Sequence, residues 1–145
     1  MHIQPYPFAV ASSEIRYEFL SISPAKKVSK VVLLSLVNAE DIYNLALLDL
    51  LEDDSLCDIT ETRNGDFRTV MSTVMAIVKH FLEKQPLTLV MFSGTEARRH
   101  RLYRILLTNE LEKITKTFRI WGRQNGLLEV FQPNVNYDHY LIEKL

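Results

Sequence analysis

From Asn64 to Lys84 the chain reads Asn-Gly-Asp-Phe-Arg-Thr-Val-Met-Ser-Thr-Val-Met-Ala-Ile-Val-Lys-His-Phe-Leu-Glu-Lys. Phe67, Val70, Met71, Val74, Ile77, Val78 and Phe81 recur at steps of three and four, which gathers apolar side chains on one face of an α-helix. Asn64-Gly65-Asp66 in front supplies a turn and an N-cap, with Gly65 expected at positive φ. Pro86 disfavours the helical conformation for Gln85, so the helix should end near Lys84. The apolar stripe needs a surface to cover, and the segments on both sides have a different period.

Upstream, Ile15, Tyr17 and Phe19 alternate with Arg16 and Glu18 across Glu14 to Ser21, the pattern of a half-buried strand. Val28 to Val37 and Ile42 to Leu50 are leucine-rich and β-branched runs on either side of Asn38-Ala39-Glu40, and they read as the next two strands. Glu52-Asp53-Asp54 is a turn, and Ile59 to Thr62 reads as a short fourth strand. Downstream, Leu87 to Phe92 is a compact strand. Ser93 or Thr95 then caps a second helix with Leu102, Ile105, Leu106 and Leu111 on its stripe and Ile114 at its end. Phe118 to Arg123 and Leu127 to Phe131 flank Gln124-Asn125-Gly126, and Asn-Gly between apolar segments is a strong hairpin signal. Tyr137 to Ile142 adds a last strand, expected at an edge. The order β-β-β-(β)-α-β-α-β-β-β predicts an α+β fold: a single domain over residues 1–145, with a mainly antiparallel sheet and two helices packed on one face.

The 145 residues are 47% hydrophobic, enough apolar material for one core. Seventeen Lys and Arg stand against 18 Asp and Glu, a net charge of -1 that disfavours nucleic acid and anionic membranes as partners. The single cysteine, Cys57, has no internal disulfide partner, and the four histidines share no metal-ligand spacing. No metal and no cofactor are expected, and a cytoplasmic location fits best. No apolar run nears the roughly 20 residues of a membrane span. The aromatics Tyr6, Tyr17, Tyr43, Trp121, Phe131, Tyr137 and Tyr140 fall on strand segments without clustered cations, which marks them as core and edge packing.

The densest polar cluster, Ser93 to Arg104, lies where a strand gives way to a helix. A helix N-terminus presents free N–H groups, and arginine forks add bidentate donors, so the cluster can hold an anion. Its candidate residues are Thr95, Arg99, Arg101 and Tyr103, with Asp58 and Asp66 as supporting acids. The bland alternative is that Arg99, which prolongs the core-facing stripe of the second helix, forms a structural ion pair with Asp58, Asp66 or Glu61. No Gly-x-x-x-x-Gly-Lys-Ser/Thr and no Gly-x-Gly-x-x-Gly motif is present, and no catalytic signature emerges.

Tyr43-Asn44-Leu45, Asp58, Asn64-Gly65-Asp66 with Val70, Thr73 and Val74, Gly94, Arg99-x-Arg101-Leu102-Tyr103, and Phe118-x-Ile120-x-Gly122 together resemble a family of small bacterial domains of unknown function, DUF6934-like, abundant in the Bacteroidetes. The resemblance spans nearly the whole chain and implies no activity, cofactor or substrate. It points to Arg99, Arg101 and Tyr103 rather than Arg98, while Ala97 stands where family members tend to carry proline.

Two functional readings result. The leading one is a non-catalytic interaction or regulatory module that docks a protein partner on a sheet face or edge, with room for a homo-oligomer. The alternative is a small-anion or nucleotide-handling domain, an enzyme or a toxin, built on the arginine cluster.

Overall fold

The computed structural model describes residues 5–10, 15–22, 24, 27–37, 41–57, 67–92, 104, 107–108, 113–133 and 135–145. The elements are β1 (Phe8–Val10), β2 (Arg16–Ile22), β3 (Lys27–Leu36), β4 (Ile42–Leu50), β5 (Leu56–Cys57), α1 (Phe67–Lys84), β6 (Leu89–Phe92), β7 (Phe118–Gln124), β8 (Leu127–Val130) and β9 (His139–Lys144). The chain divides into two compact units, one of His2–Ser35 with Leu45–His80, the other of Met1, Leu36–Asn44 and Phe81–Leu145. Among the described residues no helix is long and apolar enough to cross a membrane.

In the first unit the strands run β1-β2-β3-β4, with β5 on β4. β1 and β2 pair antiparallel, as do β2 and β3, Phe19 lying opposite Lys30 and Tyr17 opposite Val32. Alternation places Tyr17, Phe19 and Ser21 on the buried face of β2. Helix α1 packs against that face with Val70, Met71, Val74, Ile77 and Val78 buried, the stripe that the three-and-four spacing defines. Two polar links fix the packing: the Tyr17 hydroxyl and His80 Nδ1 lie 2.8 Å apart, and the Tyr6 N–H donates to Thr73 Oγ1 at 3.0 Å.

In the second unit the order is β6-β9-β7-β8. β9 pairs antiparallel with both β6 and β7, Ile142 lying opposite Val90 on one side and Ile120 on the other. The β7–β8 hairpin turns through Asn125 at φ 52 and Gly126 at φ 79. Positive φ at both central residues is the type I′ turn whose twist matches the flanking strands, as Asn-Gly predicts.

Several expectations are corrected. An additional strand, β1, precedes those read from the sequence; it has three residues and follows Pro5 and Pro7, too short to show a period. The strand after the acidic turn is Leu56–Cys57, while Ile59 to Thr62 lies outside the described residues. Of the two helices expected on one face, one is described. In the span of the second, helical backbone is described only at residues 104, 107–108 and 113–114. The last strand is internal, not an edge. Tyr140, Leu141 and Ile142 are all buried because β9 is flanked on both sides, and a continuous apolar run is the mark of such a strand.

Candidate functional site

The anion-site residues Thr95, Arg99, Arg101 and Tyr103, and the acids Asp58 and Asp66, lie outside the described residues, as does Gly65. Two other features stand out, one in each unit.

The first surrounds a buried ion pair. Lys30 Nζ lies 2.5 Å from Asp49 Oδ1, with both side chains more than nine-tenths buried. Asp49 Oδ2 is buried and has no hydrogen-bond partner among the described residues. Beside the pair opens a cavity of about 470 Å³ whose walls include Tyr6, Phe19, Leu20, Ile22, Lys30 and Val31. Tyr6 stacks on Phe19 with ring centroids 6.0 Å apart, and its hydroxyl accepts the Ile22 N–H and donates to the Ile22 carbonyl. Asp49 already faces the Lys30 ammonium, so the cavity offers a ligand mainly apolar wall.

The second is the free end of the β6-β9-β7-β8 layer. Among the described residues β8 pairs with β7 alone: Trp121 with Val130, Gly122 with Glu129, Arg123 with Leu128 and Gln124 with Leu127. The Phe131 N–H donates to the Ile120 carbonyl at 2.9 Å, which fixes the phase of the ladder. In an antiparallel pair the bonded residues alternate, so Glu129 and Leu127 also bond to β7, while the N–H and C=O groups of Leu128 and Val130 point away from it. Three of the four β8 side chains are apolar and exposed: Leu127 at 75%, Leu128 at 51% and Val130 at 52%. Leu128 and Val130 share the face of the half-buried Trp121, whose indole N–H donates to Glu143 Oε1 at 2.9 Å.

The single charge of β8 is already engaged. The Tyr137 hydroxyl donates to Glu129 Oε1 at 2.5 Å, and the hydroxyl oxygen in turn accepts the Gln132 N–H at 3.0 Å. Tyr137 lies over Gly122 in a cluster with Phe131 and Tyr140, all three buried. The Asn125 N–H donates to Asp138 Oδ2 at 3.1 Å, tying the turn to the segment before β9. The hairpin is therefore held from its core face, and among the described residues no strand pairs with its outer edge.

Burial pushes the Tyr140 phenol up to about 12, against the opposing pull of the Arg104 guanidinium. The unfolded phenol titrates near 10. The folded chain therefore keeps a proton that the unfolded chain loses between these values. Stability should be flat with respect to this group below pH ~10 and fall as the pH rises to ~12. Urea midpoints measured across that window should show a decline that Tyr140→Phe makes shallower; an unchanged slope in the variant would contradict the assignment.

β8 was legible as a strand but not as an edge, because the edge is set by which strand β7 takes on its other side.

A family model for DUF6934, a family of unknown function, matches residues 2–145. The chain belongs to this family. No curated protein and no solved structure matches it.

Proposed function

We propose that the chain is a non-catalytic interaction module which takes up an extended, uncharged, apolar strand of another polypeptide along the outer edge of β8. One observation carries the reading: β8 is an edge strand with three exposed apolar side chains and its one carboxylate bound to Tyr137. Edge strands ordinarily carry lysine, proline or a bulge that blocks further pairing, and β8 carries none of these in its four residues. An added strand gains main-chain hydrogen bonds from Leu128 and Val130 and side-chain contact with the Trp121 face. A single domain over residues 1–145, in a bacterial cytoplasm, is the setting we propose with it.

The test uses the direction of the Leu128 N–H. Leu128→Pro removes an outward donor and leaves the bonds to β7 in place. Peptides selected from a displayed random library against the wild-type protein should be extended and apolar. They should slow amide exchange at Leu128 and Val130, and bind Leu128→Pro about tenfold more weakly, the equivalent of one to two net hydrogen bonds. Peptides that bind both proteins equally would contradict the proposal.

A further inference from the structure

We infer that the cavity of the first unit binds a small, neutral, largely apolar molecule carrying one hydroxyl or carbonyl group, with Ser29 as its hydrogen-bond partner. The place of the cavity follows from the shortness of β1. β1 pairs with β2 only as far as Phe19, so among the described residues no strand lies outside Leu20 to Ile22. Tyr6 crosses that gap, and Tyr6, Pro7, Leu20 and Ile22 all contribute to the cavity wall.

A small molecule fits this place better than an added strand. The Ile22 N–H and carbonyl, which a strand would need, are both bonded to the Tyr6 hydroxyl, at 3.1 and 3.3 Å. The volume of about 470 Å³ lies within the roughly 300–1,000 Å³ of small-molecule sites. The wall is largely apolar: Tyr6 stacked on Phe19 forms one part, and Leu20 and Ile22, 44% and 48% exposed, form another.

The charges around the cavity select against an ion. Its two charged wall residues each face an opposite charge already. Lys30 Nζ lies 2.5 Å from Asp49 Oδ1, and Glu18 Oε1 accepts from Arg16 Nε at 2.9 Å and Nη2 at 2.8 Å. An entering carboxylate would lose its hydration to meet two cations that are already neutralised, and an entering ammonium would meet two neutralised anions. Of the polar side chains among the described wall residues, Tyr6, Glu18 and Lys30 are thus engaged, which leaves Ser29. Ser29 lies opposite Leu20 in the β2–β3 ladder, and its hydroxyl makes no hydrogen bond among the described residues. A hydroxyl both donates and accepts, so it can pair with an alcohol or a carbonyl.

Three probes that share one ring system test this on the full chain: naphthalenemethanol, naphthoate and naphthylmethylamine, which end in a hydroxyl, a carboxylate and an ammonium. In amide-resolved NMR titrations naphthalenemethanol should shift the signals of Leu20, Ile22, Ser29 and Val31. The two charged probes should bind at least ~10-fold more weakly. Ser29→Ala should weaken naphthalenemethanol about fivefold, the equivalent of one net hydrogen bond. Leu20→Arg sets an unpaired charge in the wall at an exposed position, so it should weaken the same probe at least ~10-fold while circular dichroism shows the fold unchanged.

Equal binding of all three probes would overturn the neutral ligand. Naphthalenemethanol that binds Ser29→Ala as tightly as the wild type would overturn Ser29 as its partner. Signals of these four residues that do not move up to the solubility limit of naphthalenemethanol, or binding indifferent to Leu20→Arg, would overturn the site.

Discussion

Lys30→Met should destabilise the protein by about 3–5 kcal/mol, while the double variant Lys30→Met with Asp49→Leu should recover most of that loss. The asymmetry arises from burial. Lys30 and Asp49 are each more than nine-tenths removed from water and lie 2.5 Å apart. Asp49 Oδ2 has no hydrogen-bond partner among the described residues, so this carboxylate depends heavily on one ammonium. Methionine fills a similar volume but removes the charge, leaving a buried anion uncompensated. Removing both charges also removes the need for compensation, and apolar replacements of such pairs are often neutral or better. Urea denaturation of the two single variants and the double variant closes the cycle. A cost below about 1 kcal/mol for Lys30→Met would mean that water reaches Asp49 and that the pair is not sealed.

Gly122→Ala should cost about 3 kcal/mol, the upper end of the usual penalty for overfilling a packed site. A methyl group on Gly122 would overlap the Tyr137 ring at Cδ1, Cε1 and Cζ. The backbone of Gly122 has little freedom to retreat, because it pairs with Glu129 on one side and Tyr140 on the other. The ring must move instead. Moving it disturbs its contacts with Phe131 and Tyr140 and the hydrogen bonds that link Glu129, the Tyr137 hydroxyl and the Gln132 N–H. The loss should appear as a lower denaturation midpoint, together with weaker strand uptake because Glu129 is released. Tyr137→Phe separates the two effects: it keeps the ring, frees Glu129, and should weaken strand uptake at a smaller cost in stability. A Gly122→Ala protein as stable as the wild type would show that Tyr137 does not lie where described.

What could be read from the sequence depended on how local its cause was. Helix α1 follows from a stripe and a proline within twenty-odd residues, and both boundaries are met. The type I′ turn follows from two residues, Asn125 and Gly126, that tolerate positive φ. The place of β9 does not follow, because strand order depends on partners far apart in the chain. Tyr137 to Ile142 came last and was read as an edge, whereas its run of three buried residues already indicated a flanked strand. The Lys30–Asp49 pair was within reach. Each is a lone charge in an apolar strand run, and the Val37 N–H to Ile42 carbonyl bond sets a hairpin register in which 30 and 49 are opposed. The bare edge of β8 is a property of sheet order and could only be seen once β7 was known to take β9 on its other side.

The account rests on the outward amides of β8, and amide-resolved hydrogen exchange with and without a selected apolar peptide tests it most directly. Leu127 and Glu129 already bond to β7 and should exchange slowly in both cases. Leu128 and Val130 should exchange fast in the free protein and become protected as the peptide is added. Leu128 and Val130 amides that are equally protected with and without the peptide, or that stay unprotected when it is bound, would contradict it.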